Sequence, residues 1–189
     1  MRVILAAVLG GIVMFAWGAF SHMVLNIEGD VFKPLPNEAA VSAAMKANIS
    51  ADGVYFMPGI DMNKKPSEEE QAAWAAKYKE GPTAMVVYHA TGDDVFTPKQ
   101  FGVQFASCLG SALIAAIILM LASVGFARGV IITTLIGLAG WVAILIPYWN
   151  WYKFPFEFIR IDLIDQIVGW FLAGLVIAFF MRARPSRAY

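Results

Sequence analysis

Four long apolar segments constrain the fold of this chain more than any other feature of its sequence. They cover residues 3–20, 101–126, 130–148 and 164–181, and no charged residue lies near the centre of any of them. A helix needs roughly 20 mostly apolar residues to cross the bilayer core. The chain is 15% charged, whereas soluble domains carry about 25%. We therefore expect an integral membrane protein of the mainly α class, built as a four-transmembrane-helix bundle.

The spans divide the chain into seven expected segments. These are helix 1 (1–20), a small extracytoplasmic α+β domain (21–100), helix 2 (101–126), helix 3 (130–148), an extracytoplasmic aromatic loop (149–163), helix 4 (164–181) and a basic cytoplasmic tail (182–189). Small residues four apart, such as Ala7 with Gly11 and Gly174 with Ala178, predict close packing between helices. The first segment also fits a secretory signal peptide, with Arg2 before it and a small residue, Ala19, near a cleavage site. The length of its apolar run favours an uncleaved helix.

The arginines predict the orientation of the spans. With four spans, one side receives five arginines and no acidic residue: Arg2, Arg128, Arg182, Arg184 and Arg187. Basic residues concentrate in cytoplasmic segments. We therefore expect cytoplasmic N- and C-termini in a multi-pass protein of the cell inner (plasma) membrane.

The segment over residues 21–100 carries signals for two helices and two strands. Asn37 predicts the cap of a helix over Glu38–Asn48, and Ser67 with Glu70 forms a capping box for a second helix. Apolar runs at 53–58 and 83–90 predict strands, and Thr97 with Pro98 predicts the start of the helix that enters the second span. The expected core residues of this domain are Val54, Phe56, Met85 and Val87.

His22 and His89 are the only histidines, and both fall on the expected outer side. Methionines also fall there, among them Met23, Met57, Met62 and Met85. Imidazole with thioether suits copper, but no pair has a ligand spacing such as HxxxH. We therefore expect no metal and no other cofactor.

The stretch IPYWNWYKFPFEFIRIDLID, from Ile146 to Asp165, has two interpretations. Its rings fit an aromatic belt at the membrane surface, where Trp and Tyr concentrate. Asp162 and Asp165 then start helix 4, where acids favour the positive end of the helix dipole, and Arg160 pairs with a neighbouring carboxylate. The alternative is an outer-face pocket lined by His22, His89, Trp149, Trp151, Arg160, Asp162 and Asp165.

Several function classes do not fit this sequence. A net charge of zero without a basic stripe argues against nucleic-acid binding. A single cysteine, Cys108, excludes an internal disulfide and a CxxC pair. The sequence has no phosphate-binding loop, zinc motif or nucleophile elbow. Its spans have no ionisable group near their centres, which argues against a proton-coupled carrier.

These exclusions favour a non-catalytic role. We expect an accessory, scaffold or assembly factor that lies in the lipid bilayer and presents its outer domain to another membrane or periplasmic protein. The alternative is a membrane enzyme or a binder of a small ligand (lipid, quinone or metal) in an outer-face pocket. Convergence of the candidate residues around one cavity would favour that alternative, whereas a scatter of these residues over the surface would favour the scaffold role.

Overall fold

The protein is mainly helical, and a computed structural model describes residues 1–61 and 63–183. Within those residues the elements are α1 (Arg2–Ala19), a π-helix (Phe20–Val24), α2 (Glu38–Asn48), β1 (Gly53–Met57), α3 (Glu68–Glu80), β2 (Ala84–Tyr88), α4 (Pro98–Ala122), α5 (Phe126–Tyr152) and α6 (Phe156–Met181). Helix α1 with its π turn, α4, α5 and α6 are each long and apolar enough to cross a membrane. Met62 and the end of the expected basic tail, with Arg184 and Arg187, lie outside the described residues.

The chain divides into two compact units. The helical unit comprises Met1–Lys33 together with the chain from Val95 onwards, and the smaller unit comprises Pro34–Asp94. The four long helices all belong to the helical unit, and both strands belong to the smaller one.

Helix α1 packs closely on α4 and α6 because its middle is built from small residues. Ala6, Ala7, Gly10 and Gly11 are buried. A Cβ at Gly10 would meet Ile177 of α6 and Ala112 of α4, and one at Gly11 would meet Leu109 of α4. Glycines at such crossings let two backbones approach each other.

Helices α5 and α6 meet in the same way. A Cβ at Gly174 of α6 would meet Thr133 of α5, and one at Gly137 of α5 would meet Trp170 of α6. The Thr133 hydroxyl donates to the carbonyl of Val130 (2.8 Å), so this buried polar group is satisfied within its own helix.

One end of the helical unit collects basic residues. The Arg2 guanidinium donates to the carbonyls of Phe180 and Arg182, and the Ala183 N–H donates to the carbonyl of Val124 in the α4–α5 turn (3.0 Å). The start of α1, the end of α6 and the α4–α5 turn therefore lie together.

The expected aromatic loop over residues 149–163 is largely helical. Helix α5 continues through Pro147 to Tyr152 and ends at Lys153, which has a left-handed φ of 61°. Helix α6 begins at Phe156, so three residues connect the two helices. Ile159 in its first turn is fully buried, and its carbonyl accepts a hydrogen bond from the Trp141 indole (2.9 Å). Asp162 and Asp165 therefore lie in the second and third turns of α6, and the prediction that they start the helix is wrong.

The smaller unit has the elements that its capping signals predict. Asn37 caps α2, and Ser67 and Glu70 form the capping box of α3. Strands β1 and β2 pair antiparallel, and their register places Val54 opposite Val87 and Phe56 opposite Met85.

Of the four predicted core residues of this sheet, three are exposed and one is half-buried. Val54, Phe56 and Val87 are 57%, 52% and 62% exposed, and Met85 is half-buried. On the opposite face Tyr88 is buried, whereas Tyr55 and Met57 are exposed. Alternation along a strand separates two faces, but it does not say which face the rest of the unit covers.

Candidate functional site

The helical unit contains a partly open cavity of about 380 Å³, bounded by α1 with its π turn, α4 and α6. This is within the size range of ligand pockets, which is roughly 300–1,000 Å³. Apolar residues of its lining include Met14, Phe15, Trp17, Phe101 and Trp170, and polar ones include His22, Gln104, Cys108, Asp165 and Gln166.

The π-helix brings His22 to this cavity. It widens the last turn of helix α1, so that the Leu25 N–H donates to the carbonyl of Phe20 (3.0 Å). Ser21 is fully buried and its hydroxyl donates to the carbonyl of Gly18 (3.2 Å). Such local π turns occur frequently at functional sites.

A turn after the π-helix brings Glu28 next to His22. Asn26 has a left-handed φ of 48°, which asparagine tolerates better than most residues, and its carbonyl accepts the Gly29 N–H (3.0 Å). Phe32 then packs its ring against Phe158 of α6, with centroids 6.1 Å apart. The segment after the turn therefore runs alongside the start of α6.

His22 lies between two carboxylates. Its Nδ1 is 3.2 Å from Glu28 Oε2, and its Nε2 is 3.6 Å from Asp165 Oδ2. A neutral imidazole has only one N–H, so only the doubly protonated ring can donate to both. The side chain of Asp165 is the least exposed of the three, at 14%, and its backbone carbonyl accepts the Trp17 indole N–H (3.2 Å).

Two oxygens of this group have unmet hydrogen-bonding capacity. In the part of the chain that the structure describes, Asp162 Oδ2 and Asp165 Oδ1 are shielded from solvent and have no hydrogen-bond partner. Asp162 is also within electrostatic range of Asp165, Glu28 and His22. We call His22, Glu28, Asp162 and Asp165 the His22 cluster. An unpaired buried acceptor costs roughly 1–3 kcal/mol, so a ligand that donates hydrogen bonds here would relieve that cost.

His89 has a separate environment in the smaller unit. Its Nδ1 is 3.5 Å from Asp52 Oδ2, and Asp52 Oδ1 accepts the Ala90 N–H (2.8 Å). The hydrogen bond from the Ala90 backbone, followed by the interaction with His89, lowers the pKa of Asp52 below its ordinary value of 3.8.

The remaining candidates do not line the cavity. Trp149 packs against Phe156, with ring centroids 6.2 Å apart, and Trp151 is 74% exposed. Arg160 is exposed on α6. The carboxylate of Asp165 faces His22, so the expected pairing of Arg160 with a carboxylate does not account for Asp165. Of the seven candidates, His22 and Asp165 line the cavity and Asp162 belongs to their cluster.

Sequence reasoning missed Glu28 and the aromatic wall. Glu28 is six residues from His22, a spacing with no regular helical meaning here, and only the π turn and the turn at Asn26 bring the two together. Trp17, Phe15 and Phe101 look like ordinary apolar span residues. The one local feature of the sequence that indicates this site is the acid pair Asp162 and Asp165, because acids are rare within transmembrane helices.

Comparisons with protein-family models, with curated proteins and with solved structures found no match to this chain. The chemistry of the cavity therefore carries the functional inference. Apolar walls with a carboxylate–imidazole–carboxylate group at one side suit a small molecule that is apolar at one end and polar at the other.

Proposed function

We propose that this protein is a multi-pass membrane protein that binds a small amphiphilic ligand in the cavity between α1, α4 and α6. The observation that carries the proposal is the cavity of about 380 Å³ with His22 and Asp165 in its wall. The ligand's apolar part lies against Trp17, Phe101 and Trp170, and its polar part reaches the His22 cluster. In this proposal the role is non-catalytic: the cavity binds the ligand and orients it.

We further propose that the four long helices form a transmembrane bundle in the cell inner (plasma) membrane. Helix α1 acts as an uncleaved span in this bundle, which its buried face against α4 and α6 supports. The N- and C-termini are cytoplasmic. The meeting of Arg2, Arg182 and the α4–α5 turn at one end of the unit supports this orientation, because basic residues favour the cytoplasmic side.

In this orientation the cavity opens toward the outer end of the bundle, and Pro34–Asp94 forms an extracytoplasmic domain. The rings around the α5–α6 connection form an aromatic belt at the outer membrane surface. The ring contacts of Tyr148 with Tyr152 and Phe154, at 5.4 and 5.1 Å, together with the exposure of Trp151, support that belt.

A pair of glycine substitutions tests ligand binding. Gly18 lines the cavity and Gly140 lies on the exposed side of α5, and a Cβ at either position meets no atom within 4 Å. Gly18→Leu puts a larger side chain at the cavity without a backbone clash, and Gly140→Leu is the matched control. The probe is 2-(1-naphthyl)ethanol, titrated by calorimetry into the full chain in zwitterionic nanodiscs.

We expect saturable binding to the wild-type chain and to Gly140→Leu, and a loss of at least about tenfold in affinity in Gly18→Leu, because the added side chain overlaps the ligand volume. Equal uptake by all three proteins would mean that the probe only partitions into lipid. That result would contradict the proposed function.

The scaffold role remains a second candidate, and one observation favours it. The smaller unit exposes an apolar sheet face that includes Val54 and Val87, and such faces are frequent at protein contacts. A partner that docks there would be a membrane or periplasmic protein. The scaffold role is the one that remains if no probe binding depends on Gly18.

A further inference from the structure

We propose that the ligand of this cavity is an amphiphilic organic amine, with a protonated, hydrogen-bond-donating head and an apolar body. This inference rests on the proposed function, because it names the ligand class of the same cavity. Three features of the described residues carry it: the excess of carboxylates around His22, the unpaired acceptor of Asp165, which is a residue of the cavity wall, and the aromatic surfaces beside it.

The charge balance of the His22 cluster favours a cation. Glu28 and Asp165 both face the single imidazole of His22, and Asp162 lies within electrostatic range of all three. Even a doubly protonated His22 would balance only one of the two carboxylates that face it. An ammonium head supplies positive charge, whereas an acidic head would add to the excess.

The hydrogen-bonding groups around Asp165 favour a ligand whose head donates hydrogen bonds. Asp165 Oδ1 is a buried acceptor without a partner, while the Trp17 indole N–H already donates to the Asp165 backbone carbonyl. Both nitrogens of His22 face other carboxylate oxygens, Glu28 Oε2 and Asp165 Oδ2, so neither nitrogen pairs with Asp165 Oδ1. A quinone or ester head brings acceptors only and leaves Asp165 Oδ1 unpaired. A protonated primary amine brings three N–H donors.

The apolar wall suits the rest of such a molecule. Phe15, Trp17, Phe101 and Trp170 all line the same cavity as Asp165. Aromatic faces bury apolar groups and also attract a nearby cation. One cavity thus combines an acidic site for the head with an aromatic surface for the body.

Three naphthalene probes of nearly equal size test the proposal. They are 2-(1-naphthyl)ethylamine, 2-(1-naphthyl)ethanol and 1-naphthylacetate, which are cationic, neutral and anionic at neutral pH. Each is titrated into the full chain in zwitterionic nanodiscs, so that the lipid surface has no net charge. The proteins are the wild-type chain, Asp165→Asn, and Glu157→Gln as a control for an exposed acid of the same helix that does not line the cavity.

We expect the amine to bind the wild-type chain about tenfold or more tightly than the alcohol, and the carboxylate to bind weakest, by the strength of charge-assisted bonds and of a cation near aromatic faces. In Asp165→Asn the preference for the amine should fall to about twofold, and in Glu157→Gln it should persist. Glu28→Gln, on the other side of His22, should also reduce the preference, and it serves as the second variant if Asp165→Asn does not fold.

The two proposals fail in different ways. Equal binding of amine and alcohol to the wild-type chain, with both lost in Gly18→Leu, would overturn the amine proposal and leave the binding function in place. A preference for the amine that Asp165→Asn and Glu28→Gln both retain would also overturn it. If no probe depends on Gly18, the proposed function itself fails.

Discussion

His22 and His89 are the same residue type on carboxylate partners, yet their surroundings give them different roles. His22 lies between Glu28 and Asp165 in the wall of a cavity. His89 has the single partner Asp52 near the end of β2, on a side chain that is 70% exposed. Water screens the second pair. At the scale of residues, the position of His22 in the wall of an apolar cavity, beside the largely buried side chain of Asp165, therefore makes it the functional candidate and leaves His89 with a local structural role.

Asp52 should make the smaller unit sensitive to acid. Its pKa is lowered in the folded chain, chiefly by the Ala90 N–H and then by His89, so the unfolded chain binds the proton more readily. The stability that Asp52 contributes is complete above its ordinary pKa of 3.8 and is lost as the pH falls through the lower folded value.

The measurement is the hydrogen-exchange rate of the Ala90 amide as the pH falls below about 4. We expect protection of this amide to decrease over that range in the wild-type chain and to be low throughout in Asp52→Asn. Asp94→Asn changes an exposed acid of the same unit and should behave like the wild type. Equal protection in all three proteins would contradict this assignment.

At the scale of elements, glycine positions decide which helices can touch. Helix α4 shows the contrast within one element. Ala112 lies where α1 crosses, opposite Gly10, whereas Gly110 is exposed and a Cβ there would meet nothing within 4 Å. The small-residue pattern in the sequence predicts close packing, but it does not distinguish a crossing from a free face.

Gly10→Val should destabilise the helical unit by on the order of 1–3 kcal/mol, because the new methyl groups would overlap Ile177 and Ala112 in a packed interior. Gly110→Val makes the same chemical change in open space and should alter stability by no more than about 0.5 kcal/mol. Thermal melts in one detergent, followed by circular dichroism, compare the two variants. Similar losses in both would mean that α1 does not cross at Gly10.

At the scale of the whole molecule, the position of charges along the chain gives the helical unit two different ends. Arg2 and Arg182 meet at one end, and the His22 cluster with its three carboxylates lies toward the other. The proposed orientation is the one in which the end with Arg2 and Arg182 faces the cytoplasm, which the preference of basic residues for that side favours.

Thiol labelling in intact cells tests that orientation. Cys108 is the only cysteine, so single cysteines can be introduced in a Cys108→Ser background. We expect a membrane-impermeant maleimide to label Asn63→Cys and not Ala127→Cys, which is exposed in the first turn of α5. Both positions should react after the membrane is permeabilised. Labelling of Ala127→Cys alone in intact cells would reverse the proposed orientation.

Features that depend on nearby residues could be predicted from the sequence alone. Four apolar runs predicted four helices long enough to span a membrane. This prediction is local, because a span needs about 20 consecutive residues that are mostly apolar. The caps at Asn37, Ser67 and Thr97 were predictable because each involves a hydrogen bond to a residue three positions away.

Features that depend on distant residues appear only in the folded chain. Asp165 meets His22 because α6 packs antiparallel to α1, and the cavity exists because α4 completes its wall. Tyr88 of the small sheet and Ile159 at the start of α6 are also buried, which no local pattern of residues predicts. Local patterns state which side chains share a face, whereas the neighbour that buries this face comes from elsewhere in the chain.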